Sequence, residues 1–176
     1  VAISLQSFVL YLCGKRHTPH LPIDFDVLRY LAYLSHWKYA LVHEQALTEA
    51  VWIFTYRGPE SGGLFDATLL SEGIRVFDHD DYNRNFKVLY MGETPKIDET
   101  VQRVLDFVLE KESKMSEREL QRLVYSTFPV MTTPRFACLD LVKKSKDYVE
   151  TLRSAGTSED EIKRITSVNP LRGVQL

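Results

Sequence analysis

The residues whose types could do chemistry fall into a few short clusters. Cys13, His17 and His20 offer a thiol and two imidazoles in the pattern Cys-x3-His-x2-His. Those are zinc-ligand types, but the set has no fourth ligand nearby and matches none of the usual spacings. Surface histidines around a proline turn explain it better, and no metal is expected. His36 and His43 stand seven apart on one helix face with no carboxylate or cysteine partner at i+4, as core or interfacial histidines would. Asp78-His79-Asp80-Asp81 is compact and acidic, yet lacks the twelve-residue loop ending in a bidentate Glu that calcium sites use. It reads as a solvated hairpin tip. Glu60 and Asp66 are too loosely placed to form an acid–base pair. An enzyme built from this chain would have to assemble its site from His36, His43, Asp66 and His79, as a small hydrolase or metal-dependent enzyme. That is the runner-up reading.

The stretch VWIFTYRGPESGGLFDATLL, residues 51–70, places a Gly-rich turn after a run of β-formers. A phosphate-binding loop needs a terminal Gly-Lys-Ser/Thr, and no lysine occurs between positions 39 and 86. A nucleophile elbow needs Gly-x-Ser-x-Gly, whereas Ser61 sits in Pro-Glu-Ser-Gly-Gly. Both enzymatic readings fail on residue type. A structural corner fits: Gly58 supplies a φ that β-formers avoid, Pro59 stiffens the turn, and Gly62-Gly63 lets the next helix start close to the strand.

The elements around these residues follow from periodicity. Leu5, Phe8, Val9, Leu12 and Cys13 mark a first amphipathic helix that Gly14 can stop, followed by a Pro-containing loop. IDFDVLRYLAYLSHWKYALVHEQ, 23–45, is the strongest helix. Its aliphatic face carries Val27, Leu28, Leu31, Leu34 and Leu41, and Tyr30, Tyr33 and Trp37 form a second, aromatic stripe. Such a helix is buried on most sides or keeps one side for a partner. A strand over about 50–56, one or two helical turns over 64–73 and a hairpin within 73–93 come next. Val101, Val104, Leu105, Val108 and Leu109 give a clean helical face, and Ser116 with Glu119 forms a capping box for the helix after it. TFPVMTTPR reads as a connecting loop, LDLVKKSKDYVETLRS as a helix, and Ser158 with Glu161 as the cap of a last short one. The fold class is α+β and helix-dominated, a compact helical bundle with a small antiparallel β element. Residues 1–155 form the main domain, and 156–176 a short C-terminal helix and tail that is mobile after Pro170 unless a partner orders it.

The 176 residues carry a net charge of −2, which leaves no basic field for nucleic acid or anionic lipid. The two cysteines are distant and make no disulfide framework, as expected of a reduced, cytoplasmic protein. The first residues lack the basic n-region of a signal peptide, and no apolar run approaches the length of a membrane span.

The order of motifs resembles a known family. An N-terminal helix, a loop, FDVLRYLAYLSHWKYAL (25–41), Ala-Val-Trp (50–52), Tyr-Arg-Gly-Pro (56–59) and Leu64-Phe65 are similar to the Panacea domain of SocA-like antitoxins. VQRVLDFVLEKESKMSERELQRLVYSTFP (101–129) resembles its second signature. The likeness spans residues 2–150, with Arg57 inserted where the family has an uninterrupted Tyr-Gly-Pro. It implies a toxin–antitoxin or prophage context, in which a non-enzymatic domain without cofactor neutralises a cognate toxin by direct contact. A variant of the same class is an adaptor that delivers its partner to a protease. A DNA-binding autorepressor is a third reading. Because Trp and Tyr dominate interface hot spots, Tyr30, Tyr33, Trp37 and Trp52 are the expected hydrophobic anchors, with Arg57 on the polar rim. The competing reading of the aromatics is core.

Overall fold

A computed structural model describes residues 1–16, 18, 20–80 and 85–168. His17, Asp81 and the tail beyond Val168 lie outside that set, as do the side chains of Asp78, His79, Asp80 and Asn85. The expectations for the His17-containing cluster, the acidic hairpin tip and the mobility of the tail therefore fall there as well.

The chain is helix-dominated α+β. Helix α1 (Leu5–Lys15) opens with Ser4, whose side chain accepts from the Ser7 N–H. The short strand β1 (Ile23–Asp24) leads into α2 (Phe25–His43). A first hairpin, β2 (Ile53–Thr55) and β3 (Gly58–Glu60), is followed by α3 (Gly62–Leu70). A second hairpin follows, β4 (Ile74–Asp80) and β5 (Asn85–Tyr90). Helices α4 (Glu99–Glu112), α5 (Glu117–Ser126), α6 (Phe128–Met131), α7 (Leu141–Ser154) and α8 (Glu159–Ile165) complete the order. The strands form an antiparallel three-stranded sheet in the order β1-β5-β4 and a separate pair β2-β3.

Helix α2 is the axis of the molecule. It packs against α1, α4, α5 and α7, and every residue from Val27 to Leu41 is buried. Its two apolar stripes thus face different neighbours, and neither is kept for solvent. The expected capping box is present: the Ser116 side chain accepts from the Glu119 N–H, and the Glu119 carboxylate accepts from the Ser116 N–H at 2.8 Å.

Several boundaries differ from the sequence reading. Gly14 does not end α1. It sits inside the helix, where a Cβ would lie 2.4 Å from the Thr94 Oγ1, so a close approach is what requires glycine. The loop TFPVMTTPR contains the short helix α6, with Pro129 in its first turn, where a missing N–H costs nothing. The corner after β2 is a hairpin before it is a strand-to-helix junction. Thr55 pairs with Gly58, leaving Tyr56 and Arg57 as the loop, and both have ordinary negative φ. The conformation that glycine favours falls on Gly58, at φ 103°. Gly62 and Gly63 open α3, capped by the Ser61 side chain, and Gly63 lies close enough to Leu5 that a Cβ would meet its Cδ2 at 3.3 Å.

Candidate functional site

The aromatic residues expected at an interface are in the core. Tyr30, Tyr33, Trp37 and Trp52 are each at most 3% exposed. The Tyr33 hydroxyl lies 2.8 Å from the Thr127 Oγ1, which in turn donates to the Val124 carbonyl, so Tyr33 is the donor of that pair. The Tyr30 hydroxyl accepts from the Gln121 Nε2 at 3.1 Å. Trp52 is edge-on to both Tyr33 and His36, and Trp37 packs on Tyr148. The hydrophobic effect explains the placement: each of these rings carries a large apolar area, and the central helix is walled in by four others. Tyr30, Tyr33 and Trp37 present no surface to a partner, and Trp52 reaches the surface only as part of a cavity wall beside Cys138.

His36, a member of the runner-up enzyme site, is equally enclosed. One ring nitrogen, Nδ1, is 2.7 Å from the Ala32 carbonyl, which can only accept, so Nδ1 carries the proton. The other, Nε2, accepts from the Thr48 hydroxyl at 2.7 Å. Burial pushes its pKa down to about 4, and the ring is held neutral with both nitrogens engaged. Asp66 is exposed on α3 and His43 is half-buried at the end of α2. Among the described residues no group of three or more His, Cys, Asp or Glu side chains is placed to hold a metal ion.

Arg57, of the expected set, stays at the surface, one-third exposed, and it leads to the candidate site. Its guanidinium donates to the Asp26 Oδ1 at 2.9 Å and lies 3.8 Å from Glu60. The same Asp26 oxygen accepts from Arg29. Arg29 is buried, and its Nη1 donates to the Arg57 carbonyl at 3.0 Å and the Pro59 carbonyl at 2.8 Å. The hairpin β2-β3 is thereby clamped onto α2 by charge-assisted hydrogen bonds, which are stronger than neutral ones. Tyr125 supports it from below, its ring edge-on to Phe54 and its hydroxyl against Gly58.

On the other side of β2 the extended segment before α7 joins it through an antiparallel bridge. Phe54 N–H donates to the Ala137 carbonyl, Leu139 N–H to the Trp52 carbonyl, and Ile53 faces Cys138. This brings three exposed side chains together. Tyr56 is 74% and Phe136 61% exposed, and their rings meet edge-to-face at 4.8 Å. Arg135 lies over the Tyr56 and Phe54 rings at 5.3 and 5.0 Å, held by a bond from its Nη1 to the Thr55 carbonyl. Phe136 has a φ of 67°, in the left-handed region that costs a bulky residue about 1–2 kcal/mol. Met131, also strongly exposed, is at the end of α6 just upstream in the chain. Of this surface, sequence reasoning named only the neighbouring Arg57 and missed Tyr56, Arg135 and Phe136 as site residues. PRF in a loop has no periodicity, and only its Arg–aromatic composition could have flagged it.

Comparison with protein-family models, with curated proteins and with solved structures finds no match to this chain. The reading of the site rests on its geometry and chemistry.

Proposed function

We propose that this protein is a non-enzymatic binding module of the antitoxin type, which neutralises a cognate toxin by direct contact at the surface formed by Tyr56, Arg135 and Phe136. The observation that carries the reading is the exposed phenylalanine held at a positive φ. A largely exposed ring, covered only where it meets Tyr56, on a strained backbone lowers stability, and such strain persists at sites of recognition. Tyr and Arg beside it are the residue types that anchor protein interfaces. The toxin as partner comes from the resemblance of the motif order to the Panacea domain. Delivery of the partner to a protease remains a variant of the same contact.

The test is co-expression with the product of the adjacent reading frame, scored for growth rescue and for a co-purifying complex. Phe136→Gly separates recognition from folding. It relieves the positive φ and removes a largely exposed ring whose contact is with the equally exposed Tyr56, so the variant is expected to melt near the parental temperature while its affinity falls at least tenfold. Tyr56→Ala is expected to weaken binding in the same direction with little change in melting. A Phe136→Gly protein that binds and rescues like the parent removes this surface from the function.

A further inference from the structure

The extended segment containing Cys138 has one edge still open. In an antiparallel pair, successive residues direct their N–H and C=O groups to opposite edges. Ala137 and Leu139 bond to β2, so the N–H and C=O of Cys138 face away from it, and neither has a partner among the described residues. The opposite edge of this small sheet is closed: Pro59 has no N–H to offer, and the carbonyls of Pro59 and Arg57 are already taken by Arg29. Beside the open edge runs a mostly apolar cavity of about 220 Å³, walled by Leu47, Val51, Trp52, Leu139 and Leu141, with Asp140 also in its lining. Three residues before Cys138, the Arg135 guanidinium has no carboxylate within ion-pair distance among the described residues, although it is exposed and fixed in place by Thr55 and two rings.

We propose that the toxin partner binds by strand addition: an extended segment of it pairs with the Cys138 backbone, lays an apolar side chain in the adjoining cavity and sets a carboxylate on Arg135. Main-chain bonds give such a complex its affinity, and the alternating side chains give it its specificity. The unpaired cation selects an acidic segment, and the width of one open residue pair suits a short strand. Because Asp140 is in the cavity lining, the partner's carboxylate belongs at the Arg135 end of the edge and its apolar side chain at the cavity. A partner of this chemistry engages three groups that the free protein leaves to solvent or without an ion pair: the edge amide, the edge carbonyl and the guanidinium. This inference rests on the binding function proposed above and specifies how the partner is held.

The experiment uses the full chain and the product of the adjacent reading frame. Amide hydrogen exchange at Cys138 is expected to slow at least tenfold on complex formation. Cys138→Pro, which removes an N–H that faces away from β2 at an edge position where proline is tolerated, is expected to weaken binding at least tenfold without lowering the melting temperature. Arg135→Glu should weaken it similarly, with Arg135→Lys restoring most of the loss, and Leu70→Glu, an exposed apolar residue on α3, should leave it unchanged. A tight complex in which the Cys138 amide exchanges as in the free protein overturns strand addition and leaves the binding function standing. Protection that rises with the concentration of this protein alone assigns the edge to a second copy and overturns it as well. If Cys138→Pro does not fold, the exchange measurement on the parent protein decides. A neighbouring product that does not bind at all overturns both readings together.

Discussion

His36 shows how much one buried side chain can dictate. The Ala50 N–H donates to the Thr48 hydroxyl at 3.0 Å, that hydroxyl donates to His36 Nε2, and His36 Nδ1–H donates to the Ala32 carbonyl. The relay works in one direction only and requires a neutral ring. Its pKa is lowered from 6.5 to about 4, chiefly by burial, so between those values the unfolded chain binds a proton that the folded chain refuses. The linkage sign is then fixed: stability present above about pH 6.5 is lost as the pH falls toward 4, by up to about 3 kcal/mol from this group. Urea unfolding of the parent and of His36→Gln at pH 7.5 and 4.5 should show a parental loss larger by roughly that amount. Equal losses would mean that His36 is not the acid-labile group. At Gly58 the constraint is conformational. Its φ of 103°, and the 3.2 Å that would separate a Cβ from the Tyr125 hydroxyl, make Gly58→Val doubly unfavourable. A cost of more than about 1 kcal/mol is expected in chemical denaturation, with Tyr125→Phe in the same background recovering the steric part alone.

Among the elements, α8 is more than an appendage to α7. Ile162 is buried, and the Ile165 carbonyl accepts from the Nζ of Lys38 at 2.8 Å. Lys38 projects from the middle of α2 with its side chain almost wholly buried, over the Phe107 ring. Burial first, and then Lys111, bring its amine down to about 8. The C-terminal end of α8 offers an unbonded carbonyl and the negative end of the helix dipole, which suit an ammonium. A chain ended after Gly156 should therefore lose more than the about 1.5–3 kcal/mol attributable to one buried isoleucine, because Lys38 is left without its acceptor. Lys38→Met in the shortened chain is expected to recover part of the loss. Thermal melting of the four proteins in that cycle measures it, and a cost no larger in the presence of Lys38 than of Met would detach the lysine from α8.

For the molecule as a whole, α2 and Trp52 make one continuous core with α1, α4, α5 and α7, and the hairpin that carries Tyr56 of the candidate surface is held on its outside by the Arg29 clamp. Trp37→Ala and Trp52→Ala are expected to cost about 3–5 kcal/mol each, the range for deleting a large buried ring. Any loss of partner binding in these variants should track loss of fold in circular dichroism. A Trp37→Ala protein that melts like the parent and has lost its partner would return that face of α2 to the surface. No described helix is long and apolar enough to cross a membrane, α2 included, since Arg29 and Lys38 interrupt it.

What the sequence determined by itself is local. The face of α4 formed by Val101, Val104, Leu105 and Val108, the Ser116–Glu119 box and the positive φ of Gly58 each depend on residues within a turn or two of one another. The helix-dominated class follows from those periodicities. Whether the second stripe of α2 meets solvent or another helix does not, because an apolar face looks the same in sequence whatever covers it. Tyr30, Tyr33 and Trp37 became core only when α5 and α7 closed over them. The candidate site needs tertiary structure for the same reason. Arg135 reaches the Thr55 carbonyl across a sequence separation of 80 residues, and Phe136 meets Tyr56 only because the segment before α7 pairs with β2. No local pattern encodes that pairing, since a turn fixes register only within a hairpin and no turn joins these two segments.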